Sequence, residues 1–249
     1  HNEAAVIGAL VSDLTAQAYP AGRLTVLVIA DGCTDGTAAI ARRLGAEVLE
    51  LPVATGTKGA ALRAGWAWLL AQRPAIEAIA VLDADNRVEP DFVAAVDRAL
   101  TLAPAIQGRR VSTAPAGEVG RLDHLSEWLN GEVEARGRAG LGLGVKIAGS
   151  AWAVRRELAD AWGFASETQV EDLELTARLA ARGIAVAFAP AVRARDEKVD
   201  DGAAFAGQRA RWIRGRFAVG FGWGPRLLAA APGRHRELGA YLLLPMRAM

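Results

Sequence analysis

Short apolar runs, each ending in a turn and followed by a helical pattern, constrain this chain more than any other feature. Leu24 to Ala30 is an apolar run that stops at Asp31-Gly32, which reads as a buried parallel strand and a turn. Thr37 to Leu44 follows as a helix, capped by Thr34 or Asp35 and stopped by Gly45. Ala46 to Leu51 reads as a second strand, Lys58 to Ala71 as a helix, Ile79 to Leu82 as a third strand, and Pro90 to about Leu102 as another helix. Ahead of them, Val6, Ile7, Leu10, Val11 and Leu14 recur at helical spacing, which predicts an amphipathic helix over 3–18. Such alternation predicts an α/β fold, a mostly parallel central sheet with helices on both faces. In sheets of that kind ligands sit beyond the carboxyl ends of the strands. Asp31 and Asp83 both fall there, so sheet logic alone puts two carboxylates in one crevice.

The second half is less regular. Residues 109–120 look like loop, Arg121 to Ala139 looks helical, and Gly140, Gly142 and Gly144 look like a flexible link. Ile147 to Val154 reads as strand, Glu171 to Arg182 as helix and Ile184 to Ala189 as strand. No linker separates the halves, which are expected to share one sheet.

At 249 residues the chain is long enough to bury an ordinary core without staples. Apolar residues make up 52% and charged residues 23%, which excludes a disordered chain. A net charge of +1 gives no support to nucleic-acid binding, which wants a strongly basic surface. Cys33 is the single cysteine, so no intramolecular disulfide is possible and a reducing compartment is the simpler expectation. The first residue is His1, not Met, and the chain is expected to be a piece of a longer protein. The apolar stretch Leu238 to Met249 suits either the start of a membrane helix or a last core helix.

Five constellations carry chemistry. Asp83-Ala84-Asp85-Asn86 follows an apolar strand, and alternate carboxylates in a turn can hold a hard cation such as Mg2+ or Mn2+. The same residues also suit a solvated turn. Asp31 can accept hydrogen bonds from a base or ribose; Lys58-Gly59, ahead of a helix, can meet an anionic nucleotide. Glu171-Asp172 opens a helix, either as ordinary capping charges or with Asp172 as general base. Gln208, Arg211 and Trp212 share one helix face at i, i+3 and i+4. Arginine there can grip phosphate with its planar fork, and tryptophan can stack on a sugar.

Taken in order, these elements resemble the inverting family 2 glycosyltransferases of the membrane-associated type. His1-Asn2-Glu3 looks like the end of the family's opening strand motif. Ala30 to Thr37 follows it, with Cys33 where Ser is usual, then Lys58 to Leu62, with Arg63 where Asn is frequent. Asp83-Ala84-Asp85 is similar to the DxD motif, Val170-Glu171-Asp172 to TED with Val for Thr, and Gln208 to Trp212 to QxxRW.

The resemblance implies a GT-A-type Rossmann-like sandwich over 1–217, with a nucleotide-binding half (1–108) and an acceptor and catalytic half (109–217). It implies transfer of a sugar from a nucleotide-sugar donor, UDP-linked by expectation, to a carbohydrate or lipid-linked acceptor at the cytoplasmic face of a membrane. Glu3, Asp31 and Lys58 would hold the nucleoside end. Asp83 and Asp85 would hold ribose, diphosphate and metal; Asp172 would be the base, supported by Glu171. Gln208, Arg211 and Trp212 would meet the diphosphate and the acceptor.

Two rival readings are weaker. A dinucleotide-dependent oxidoreductase needs a G-x-G-x-x-G turn, and Gly140, Gly142 and Gly144 lack that spacing. Against a non-catalytic binding domain stand Asp83, Asp85 and Asp172.

Beyond Trp212, the glycines and Pro225 predict a helix to about Phe217, a Gly-rich bend, and a short helix near Arg226 to Ala231 within a separate 218–249 segment. Arg209, Arg211, Arg214 and Arg216 beside Trp212, Phe217, Phe221 and Trp223 suit an anionic membrane interface.

Overall fold

A computed structural model describes residues 1–20, 22–112, 118–164, 168, 170–196 and 202–229; within its helices the side chains of 118, 119, 122, 123, 202–211 and 228 lie outside the description. The first half follows the predicted order, with one added strand at Asn86–Val88 that the sequence pattern does not predict. Helix α1 (Ile7–Thr15) buries Ile7, Leu10 and Val11, the predicted apolar face. Then come β1 (Leu27–Asp31), α2 (Thr37–Arg43), β2 (Glu47–Leu51), α3 (Lys58–Gln72), β3 (Ala78–Val81), β4 (Asn86–Val88) and α4 (Phe92–Leu102). The second half has β5 (Ala105–Ser112), α5 (Glu118–Trp128), a π-helical stretch (Leu129–Ala135), α6 (Arg136–Gly140), β6 (Trp152–Arg155), α7 (Arg156–Trp162), α8 (Glu171–Ala181), β7 (Ala187–Asp196) and α9 (Gly202–Ala229).

The sheet differs from the expectation of one mostly parallel sheet. Strands β1 and β2 form a parallel pair, and the others form a mixed sheet in the order β3-β6-β5-β7-β4. Only β5 and β7 pair in parallel within it; β3·β6, β5·β6 and β4·β7 are antiparallel. The antiparallel pairs come from β6 and β4, short strands of four and three residues. Strand β5 occupies residues expected to be loop. Arg109 and Arg110 hid it, because they are charged in mid-strand; each is neutralised by a carboxylate, Glu132 and Asp196 respectively.

No ladder joins β1 to β3 among the described residues. A cleft of about 1970 Å³ separates them, walled by Val28, Ile29, Leu62, Trp66, Ile79 and Val81. That exceeds the roughly 300–1,000 Å³ of ordinary small-molecule pockets. The main core buries Trp152, Trp162, Phe164, Leu175 and Val186 together and continues into the cleft wall through Trp66 and Val81.

Helix α9 is also longer than its composition predicts. It runs unbroken to Ala229, through Gly215, Gly220, Gly222, Gly224 and Pro225, so the expected bend after Phe217 is absent. Tertiary packing outweighs local propensity here. Val219 and Leu227 are buried against Val170, Ala177 and Ala180. A Cβ on Gly215 would meet Val170 Cγ1 at 2.4 Å, so glycine is what lets α9 approach.

Candidate functional site

Thr57 caps α3, its hydroxyl accepting from the Ala60 N–H at 3.2 Å, and this places Lys58 at the first turn. The same turn holds Asp31. Its carboxylate accepts from the Thr55 N–H and the Thr55 hydroxyl, both at 2.8 Å. Gly32 has φ +60°, and a Cβ there would lie 2.5 Å from the Ala54 nitrogen, so this turn demands glycine twice over. Glu3 donates its backbone N–H to the Thr37 hydroxyl at 2.8 Å. Glu3, Asp31, Lys58, Asp83 and Asp85 all line the cleft between β1 and β3.

Lys58 Nζ forms an ion pair with Asp83 Oδ1 and donates to the Gly149 carbonyl at 2.8 Å. Gly149 in turn donates its N–H to Asp172 Oδ2 at 2.7 Å. A single chain of polar contacts, Asp83–Lys58–Gly149–Asp172, therefore joins the turn after β3 to the first turn of α8. Trp152 Nε1 also donates to the Gly149 carbonyl, at 3.2 Å, which anchors this loop to the core. Asp172 Oδ1 accepts from the Leu173 N–H at 2.7 Å. Both oxygens of Asp172 thus have one backbone donor, and each keeps a second lone pair for a proton.

The three acids beside Lys58 have different electrostatics. Burial works against the charge of Asp83, but the Lys58 ammonium, its hydrogen bond and the Arg110 charge outweigh burial and hold the carboxyl below its ordinary value. Asp85 feels Arg110 but has no lysine paired with it among the described residues. Burial first, then the charges of Asp83 and Asp196, push it up to about 6. Glu171 is 7% exposed; burial first, then the Asp172 charge, push it up to about 7.

Several residues at this site escape a reading of local motifs. Arg110, from β5, pairs with Asp196 and lies 3.8 Å from Glu127. Asn86 and Asp196 are buried beneath the Asp83 turn, at 1% and 2% exposure. Gly149 was read as part of a strand; a lone glycine inside an apolar run signals a close backbone approach, and that signal was available.

Gln208 and Arg211 lie in α9, but their side chains fall outside the described residues, as does that of Arg209. Trp212 is described: it packs with Trp223 on the cluster formed by Val170, Ala177 and Ala180. The Arg178 and Arg226 guanidinium groups both lie over the Trp223 ring, at 4.9 and 4.8 Å from its centroid. Of the four aromatics expected at a surface, only Phe217 and Phe221 are exposed, at 46% and 79%, and they stack at 6.2 Å. No described helix is long and apolar enough to cross a membrane.

Comparison with known proteins places the chain in a family. Residues 1–215 match the family described as glycosyltransferase like family 2. The chain is similar to the beta-monoglucosyldiacylglycerol synthase of Nostoc sp., 32% identical over 233 residues, covering 87% of this chain and 47% of that protein. It is also similar to the synthase of that name from Synechocystis sp., 30% identical over 231 residues, covering 87% and 46%. The chain thus spans about half the length of the curated relatives it matches. Among solved structures, a mannosyltransferase from Pyrobaculum calidifontis in complex with GDP-Man and Mn2+ superposes with a TM-score of 0.68 at 22% identity, covering 100% of this chain and 71% of that one. S. aureus TarS in complex with UDP-GlcNAc gives 0.69 at 14% identity, covering 100% and 70%.

Proposed function

We propose that this chain, which belongs to the glycosyltransferase-like family 2 and has the GT-A α/β fold, transfers a sugar from a nucleoside-diphosphate donor to an acceptor hydroxyl with inversion. The observation that carries the reading is the Asp83–Lys58–Gly149–Asp172 chain of contacts. It joins a lysine that can meet a diphosphate, through one backbone residue, to a carboxylate that can act as base, which supports this reading.

In this reading Asp31 and Glu3 face the nucleoside end of the donor, and Lys58 meets the diphosphate. Asp172 takes the proton of the acceptor hydroxyl as its oxygen attacks the anomeric carbon, and the bond to the diphosphate breaks. Because one carboxylate base drives one in-line displacement, the anomeric configuration inverts. Glu171, protonated in part near neutral pH, limits the negative charge beside the base.

The residues present fit a divalent cation. Asp85 is a carboxylate raised by burial and by two acidic neighbours, which a cation would relieve. No group of three or more His, Cys, Asp or Glu side chains suited to a metal exists among the described residues. That suits Mg2+ or Mn2+ held by one or two carboxylates, its other ligands being water and phosphate oxygens. Asp85, with Asp83, would hold it; when bound, it supplies charge neutralisation of the departing diphosphate.

The relatives' names point to a lipid acceptor, and a UDP-sugar donor with a diacylglycerol acceptor is the combination we favour. Gln208 and Arg211, as in QxxRW, complete the donor site at the start of α9. The exposed Phe217 and Phe221, with Arg214 beside them, suit contact with the cytoplasmic face of a membrane. The test is UDP release from UDP-glucose with diacylglycerol vesicles, with and without Mn2+. Release that needs acceptor and metal, and a product of inverted configuration, is expected. Full turnover in chelator would overturn the metal role, and absence of turnover with every UDP-sugar would overturn the donor class.

A further inference from the structure

The Asp83 turn rests on a buried hydrogen-bond relay that the proposed reaction does not use directly. Asn86 opens β4 and Asp196 closes β7, and the two are Cα partners across the antiparallel ladder. They lie 110 residues apart in sequence. Asn86 Oδ1 accepts from the Asp83 N–H at 3.0 Å. Asn86 Nδ2 donates to Asp196 Oδ1 at 2.7 Å, and its direction also serves Asp85 Oδ1 at 3.4 Å. The other Asp196 oxygen takes the Arg110 guanidinium. Arg110 reaches on to the Ala148 carbonyl at 3.4 Å, next to the Gly149 N–H that holds Asp172.

We infer that Asn86 and Asp196 are positioning residues of the donor and cation site: Asp196 orients the Asn86 amide, and that amide fixes the Asp83 backbone and the Asp85 carboxylate. The chemistry of the pair supports this. A carboxamide both accepts and donates, so Asn86 can serve a backbone N–H and two carboxylates at once. Neither aspartate nor alanine can. Both Asp196 oxygens already have partners and the residue is 2% exposed, so Asp196 acts through Asn86 and not on the donor. Without Asp196 the buried amide would lose its shortest contact, and only the Asp83 N–H and the longer contact to Asp85 would orient it. Arg110 makes the same carboxylate answer to the Ala148–Gly149 loop, so the relay ties the spacing of Asp85 to that of Asp172.

This inference rests on the donor-site reading above, and the two can fail separately. The measurement is Mn2+ binding in the presence of UDP, by electron paramagnetic resonance, for the wild type, Asp196→Asn and Asn86→Ala. Circular dichroism and thermal melting select folded samples. Partners that orient a metal ligand typically account for roughly 10- to 100-fold in affinity, and a loss of that size is expected in both variants. UDP affinity in chelator should be unchanged, and turnover of both variants should recover towards the wild type as Mn2+ is raised. Folded variants that melt lower yet bind Mn2+ as the wild type does would overturn the positioning role, leaving a structural one. Should Asp196→Asn not fold, Asn86→Ala alone decides between these outcomes. A wild type that binds no Mn2+ with UDP would remove the donor-site reading, and the inference with it.

Discussion

The turns after β1 and β3 are built to one plan and finished differently. Each puts an aspartate at the carboxyl end of an apolar strand, facing the same cleft. Asp31 is satisfied by two neutral donors, both from Thr55. Asp83 is satisfied by a lysine, and its turn is underpinned by its own Asn86 and by Asp196 and Arg110 from two other stretches of chain. The first turn holds a carboxylate with uncharged contacts, which suits the hydroxyls and base edges of a nucleoside. The second balances charges in a part-buried site, where an added or removed charge is felt strongly. The lesson is that the same motif, Asp after a strand, gains its role from what lies behind it.

Four experiments press on that contrast. The largest effect is expected on the far side of the Lys58–Gly149 link. Asp172→Asn keeps the shape and removes the proton acceptor, so kcat should fall by about a hundredfold to ten-thousandfold, with the donor KM little changed. Normal turnover by the folded variant, in a UDP-release assay, would make Asp172 a helix-terminal charge only.

Next comes the charged turn itself. Asp85→Asn should lower transfer by about a hundredfold or more, since a metal supplies several kcal/mol to the leaving diphosphate. UDP binding in chelator should persist. Equal loss of UDP binding in chelator would show that the turn had collapsed.

The third experiment concerns Glu171, whose pKa is raised from its ordinary 4.5 to about 7 by burial and then by Asp172. The folded protein therefore holds this proton more tightly than the unfolded chain does. The stabilisation is full below about pH 4.5 and disappears as pH rises through 7, where a buried charge must form. Glu171→Gln removes that cost. In chelator without donor, it should be more stable than the wild type at pH 8 by about 3 kcal/mol, and the gap should shrink steadily towards pH 5. Parallel stability curves for the two proteins would contradict the raised pKa.

The smallest effect is expected at the neutral turn. Asp31→Asn still accepts from Thr55 through its amide oxygen, so the turn should hold. Loss of one donor contact of ordinary strength, about 0.5–1.5 kcal/mol, corresponds to a few-fold rise in donor KM. A loss as large as that of Asp85→Asn would show that both turns carry charge in the same way.

Much of the first half was legible without coordinates, since apolar runs and capping residues act locally. Thr57, Lys58 and Gly59 announce the start of α3, and the face of α1 carrying Ile7, Leu10 and Val11 is the buried one. That Asp31 and Asp83 line one cleft was legible for the same reason, as they stand at strand ends. The second half was not. Arg109 and Arg110 read as loop because their partners, Glu132 and Asp196, are distant in sequence. The glycines of α9 read as a bend because nothing local reveals that Gly215 faces Val170.

By itself the sequence determined β1, β2 and β3 and where their carboxylates stand, because periodicity and turn chemistry depend on neighbours along the chain. Tertiary structure alone decided that β1·β2 stands apart from the mixed sheet, that Trp212 and Trp223 pack on α8, and that Asn86, Asp196 and Arg110 meet beneath the Asp83 turn. Those outcomes depend on burial and charge pairing between residues far apart in sequence, where an energetic gain exists only once the chain has closed.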